Sequence, residues 1–120
     1  MKDILLSKLI KEAGLTETQV ETILLRRRVL SGDITSSQAI SLRSRPVKIG
    51  SYHRVLKQAR INLEQAIFSL LIAARLGAIK PAEFERLLSI VSASPSDIDE
   101  GRAVQVTSVL SDIIRNIVML

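Results

Sequence analysis

With 120 residues, the chain has room for one compact domain, or for a small module joined to an oligomerisation element. It has no cysteine, one histidine (His53) and three aromatic residues (Tyr52, Phe68, Phe84), which excludes disulfides, thiolate or histidine-rich metal sites, a cysteine nucleophile and a base-stacking platform. The net charge of +5 is unevenly placed: residues 26–60 hold nine Lys or Arg against Asp33 alone, a local +8 that leaves −3 for the remainder. A field focused in this way suits a polyanion.

A hydrophobic content of 47% sets the chain apart from disordered sequences. The opening MKDILLSKLIKEAG repeats charges every few residues, unlike a signal peptide, so a cytoplasmic location is expected. The longest apolar run, residues 66–74, is interrupted by Ser69 and closed by Arg75, short of the roughly 20 residues a bilayer span needs. No membrane partner is expected.

Every segment has helical rather than alternating periodicity. Ile4, Leu5, Leu9, Ile10 and Ala13 make the stripe of a first helix that Gly14 ends. Thr16 and Gln19 have the spacing of a capping box, and Val20, Ile23, Leu24 and Leu30 supply the expected buried face of a second helix, closed by Ser31 and Gly32. A short third helix begins after Thr35 or Ser36 and stops near Ser44, because Pro46 restricts the residue before it. From Gly50 and Ser51, with Ser51 as the default N-cap, a long pattern runs to Gly77; at 1.5 Å per residue it makes a rod of roughly 39 Å, more than a small domain needs for itself. Its second half is apolar nearly all round and needs burial by partners. Pro81 opens a fifth helix with Phe84, Leu87, Leu88 and Val91, and Pro95 separates it from a sixth. Asp97, Asp99 and Glu100 precede that last helix, where negative charge complements the helix dipole. The expected architecture is all-α, with residues 1–64 a DNA-binding domain and residues 65–120 an apolar oligomerisation region. Ile67, Phe68, Leu70, Leu71, Val109, Ile113 and Ile117 are the expected interface of a homodimer. The competing reading folds the last helices back on the first to finish a monomeric core.

On the long helix, Tyr52, Val55, Leu56, Ala59 and Leu63 share one face and read as core, while Gly50, His53, Arg54, Lys57, Gln58 and Ile61 lie on the opposite arc. A helix presenting donors from its first two turns is what major-groove readout requires, since Arg and Lys bond guanine and Gln bonds adenine. His53, Arg54, Lys57 and Gln58 are therefore the candidate base contacts. Arg26, Arg28, Arg43, Arg45, Lys48, Ser51 and Arg60 are the candidate phosphate contacts. For the run of residues 26–28, solvation competes with phosphate contact, and Arg27 points toward the apolar side.

Residues 15–66 resemble the helix-turn-helix of sigma-factor region four and its relatives, including the Tfx-type archaeal transcription regulators. The resemblance rests on Leu15, Thr16, Gln19, Ile23, Leu25 and Arg26 at its start and on Ser51, Arg54, Leu56, Ala59, Arg60 and Leu63 at its end. The turn departs from the pattern: Ala39, Ile40 and Leu42 are followed by residues 43–50 with Pro46, and no glycine stands where the family places one. The resemblance implies a DNA-binding transcriptional regulator with a recognition helix starting near Ser51. An adaptor that binds an acidic protein of the transcription machinery is the alternative. No nucleophile elbow, phosphate-binding glycine loop, metal-ligand spacing or apolar carboxylate pair points to an enzyme, and no cofactor or metal is expected.

Overall fold

The computed structural model describes residues 3–45 and 47–120. Six helices follow one another: α1 (Ile4–Glu12), α2 (Glu17–Leu30), α3 (Ser36–Ser41), α4 (Ile49–Arg75), α5 (Pro81–Ala93) and α6 (Glu100–Ile117). No strand occurs among the described residues, and one isolated bridge joins Ile79 to Val118. The chain is therefore all-α. It divides into two compact units, one of residues 13–65 and one of residues 1–12 with 66–120, the boundary falling within α4.

Local chemistry explains most of the helix ends. Thr16 accepts from the Gln19 amide while the Gln19 side chain accepts from the Thr16 amide, the reciprocal box that its spacing predicts. Thr35 and Gln38 make a second such box at α3, which fixes its start one residue after Thr35. Both Gly32 and Gly77 have positive φ, and each closes a helix with paired carbonyl bonds: Asp33 N–H to Arg28 and Gly32 N–H to Val29, then Ala78 N–H to Ala73 and Gly77 N–H to Ala74. A side chain with a Cβ is strained at these two turns. Asp99 caps α6 by accepting from the Arg102 amide, and Pro81 occupies the first turn of α5. Two boundaries differ from expectation. Helix α3 ends at Ser41, before Ser44, and α4 begins at Ile49, so Ser51 lies inside the helix and is not its N-cap. The role given to Pro46 lies outside the described residues.

The unit of residues 13–65 closes on Leu25, Ala39 and Tyr52, with Val29, Ile34, Ile40, Val47 and Leu56 packed around them. Helix α2 buries Val20, Thr22 and Leu25, whereas Leu24 and Leu30 are exposed, contrary to the face expected from periodicity. The run Ile23, Leu24, Leu25 points in three directions, and the side facing α3 is selected by contact with that helix. Thr22 sits on this face without cost because its hydroxyl donates to the Thr18 carbonyl at 2.8 Å.

The other unit packs α1 and α5 against α6. Its core is Leu5, Ile98, Ala103 and Leu110, flanked by Ile4, Leu9, Leu87, Ile90 and Val106. The first helix thus belongs with the C-terminal helices, a correction to the division at residue 64. The physical reason is α6: Ala103, Leu110, Ile113 and Ile117 form one buried stripe that the chain covers from within. Ile113 and Ile117 are accordingly core residues of the unit and not interface residues. Lys80 N–H to Ile117 and Met119 N–H to Ala78 tie the α4–α5 connection to the end of α6.

Candidate nucleic-acid interface

The first turns of α4 are oriented by what they bury. Tyr52 is 2% exposed and Ala59 fully buried, while Val55 and Leu56 are half-buried beside them. Docking that face leaves His53, Arg54, Lys57, Gln58 and Arg60 exposed on the other side. The four expected base-contact residues therefore share one free surface. His53 also stands edge-on to the Tyr52 ring, with centroids 5.6 Å apart. The Tyr52 hydroxyl is buried without a hydrogen-bond partner among the described residues.

A chain of amides links this surface to the start of α2. The Gln19 side-chain oxygen accepts from the Thr16 backbone and from Asn62 Nδ2, and Asn62 Oδ1 accepts from Gln58 Nε2 at 3.0 Å. Thr16, Thr18, Gln19, Arg54, Val55 and Gln58 line a shallow groove of about 270 Å³ there. The capping box was legible in the sequence, but its second use, holding Asn62 and through it Gln58, was not. That contact spans 43 residues of chain.

The expected phosphate contacts divide into three groups. Arg45, Lys48 and Arg60 are exposed, and Ser51 is half-buried within α4. Arg26 is half-buried with its Nε shielded from solvent, and Arg28 donates to Asp33 at 2.8 Å in an exposed pair. Arg27, expected toward the apolar side, is exposed. Arg43 is the correction: its side chain is 5% exposed, its Nε donates to Glu21 at 2.8 Å, and it is sealed from a phosphate. The same Glu21 oxygen accepts from the Ser44 amide at 3.0 Å. Burial opposes the Glu21 charge, but the Ser44 bonds and the Arg43 guanidinium outweigh it and hold this carboxyl below its ordinary range. The pair clamps Arg43 and Ser44, just past the end of α3, onto α2. No short-range spacing signals an ion pair 22 residues apart.

In the unit of residues 1–12 and 66–120, Ile67, Phe68, Leu71 and Val109 of the expected interface are exposed and Leu70 is half-buried. Ile67, Leu70 and Leu71 face Phe84 and Leu88 of α5 across an apolar groove of about 470 Å³. Among the described residues, no group of His, Cys, Asp and Glu is arranged to hold a metal ion, and no helix is long and apolar enough to cross a membrane. Compared with protein-family models, curated proteins and solved structures, the chain matches none.

Proposed function

We propose that the chain is a DNA-binding transcriptional regulator of helix-turn-helix type, a homodimer that inserts the start of α4 into the major groove. The observation that carries this reading is the single exposed surface of His53, Arg54, Lys57 and Gln58 above a buried Tyr52 and Ala59. Arg and Lys there bond guanine O6 and N7, and Gln58, tethered by Asn62, bonds an adenine edge. Arg45, Lys48 and Arg60 take phosphates, while Arg28 is held by Asp33. The resemblance of residues 15–66 to sigma region four supports the same assignment.

Binding of the purified protein to genomic fragments at two salt concentrations, against random DNA and RNA competitors, tests the reading. Three exposed cations in each of two subunits give six phosphate contacts and a log K against log salt slope of about −5. Selective, salt-sensitive retention that Arg54→Ala with Lys57→Ala abolishes is the expected result. A slope near zero, with capture of an acidic protein of the transcription machinery instead, would establish the adaptor.

A further inference from the structure

We propose that the face of α4 from Glu64 to Arg75 is a self-recognition surface, which pairs antiparallel with the same face of a second copy about a two-fold axis between residues 69 and 70. The inference rests on the homodimer of the proposed function and is independent of its DNA recognition.

At 100° per residue, Glu64, Ile67, Phe68, Leu71, Ile72 and Arg75 fall within an arc of roughly 140° on one continuous helix. The four apolar members are 57%, 65%, 59% and 61% exposed. Adjacent side chains of this size form one contiguous patch of roughly a few hundred Å², the size of the largest apolar patch on a typical monomer, which is often functional. No charge interrupts the patch, and one charge of each sign closes it: Glu64 at its start and Arg75 at its end. The ion pairs among the described residues are Arg28–Asp33, Arg43–Glu21, Arg86–Glu83 and Arg115–Asp112, so neither terminal charge is paired among those residues.

That pattern is complementary to itself in one orientation. A parallel copy sets Glu64 beside Glu64 and Arg75 beside Arg75, a like-charge pair at each end of an apolar seam. An antiparallel copy centred between residues 69 and 70 sets each Glu64 opposite an Arg75 of the second copy, Ile67 opposite Ile72, and Phe68 opposite Leu71. Sliding by one turn loses both charge pairs and leaves apolar side chains uncovered. Opposite charges at the two ends of a seam fix both direction and register, as flanking charges do in paired helices. An isologous contact requires this kind of self-complementarity, whereas docking of an unrelated apolar helix does not.

Sedimentation equilibrium without DNA tests the pairing, on the full chain and on Glu64→Arg, Arg75→Glu, the double swap and Phe68→Glu, with circular dichroism to verify unchanged helix content. The wild-type chain is expected to dimerise. Each single swap places like charges at both ends of the seam and weakens association about tenfold, and the double swap restores it to within about threefold. Phe68→Glu abolishes the dimer. A monomeric wild-type chain, single swaps that change nothing, a double swap no better than the singles, or a dimeric Phe68→Glu variant would each overturn the proposal. If the swap pattern holds and DNA binding is absent, the DNA reading fails and this pairing stands.

Discussion

In the unit of residues 13–65, Leu25, Ala39 and Tyr52 meet at a closed centre, and the exposed side of α4 is given over to hydrogen-bond donors. In the unit of residues 1–12 and 66–120, α6 buries one stripe against α1 and α5, yet α5 contains no fully buried residue, and Ile67, Phe68, Leu71, Ile72 and Leu76 stand open. Both units leave apolar side chains exposed, Leu24, Leu30, Leu42, Ile49 and Leu63 in the first, but the second gathers Ile67, Phe68, Leu71 and Ile72 on one stretch of helix. The contrast teaches that composition does not measure core size. A unit rich in Ile, Leu and Val that leaves them exposed has a surface to explain, and the basic unit has a core small enough that each member counts.

The largest expected effect breaks that small core. Tyr52→Ala should cost about 3 kcal/mol, because a ring packed against Leu25 and Ala39 leaves a cavity. Chemical denaturation measures it, and a loss below about 1 kcal/mol would show the centre to be loosely packed. In contrast, Phe68→Ala should change the stability of the monomer by less than about 0.5 kcal/mol, since its side chain is already 65% exposed.

Next in size is the clamp between α2 and the α3–α4 connection. Arg43→Ala should cost about 2 kcal/mol, as it removes a nearly buried partner and leaves Glu21 half-desolvated. The pH dependence sharpens this. Because the folded Glu21 pKa is depressed, its contribution is fully present above the ordinary value of 4.5 and is lost as pH falls through the folded value. Glu21→Gln should therefore flatten the acid limb of the stability curve, and an unchanged limb would place the acid sensitivity elsewhere.

Smaller still is the cap at α2. Thr16→Ala should cost about 1 kcal/mol. It removes only the acceptor of the Gln19 backbone amide, whereas Gln19→Ala also deletes the oxygen that accepts from the Thr16 amide and from Asn62, so in that second variant selective DNA retention should drop while retention of random DNA does not. Least of all is Tyr52→Phe, which deletes a buried hydroxyl that has no partner among the described residues. Thermal unfolding should show stability unchanged or raised by about 0.5 kcal/mol, and a clear loss would reveal a bond to that hydroxyl.

Much of the molecule was readable in the chain alone. Thr16 with Gln19, Gly32, Gly77 and Pro81 act through backbone geometry within a few residues, so the helices they begin or end could be placed by spacing. The donor arc was readable for the same reason, since one helix repeats every 3.6 residues whatever surrounds it. What the tertiary structure decided depends on which faces meet. The run Ile23, Leu24, Leu25 offers three faces, and packing chose the one carrying Leu25. Arg43 belongs by charge to the basic field and by position to a buried pair with Glu21. Ile113 and Ile117 are as apolar as Ile67 and Leu71, yet α6 turns them inward to a core that α4 leaves those two outside. Hydrophobicity sets how much a side chain gains by leaving water, while the neighbours that exclude the water come from distant parts of the chain.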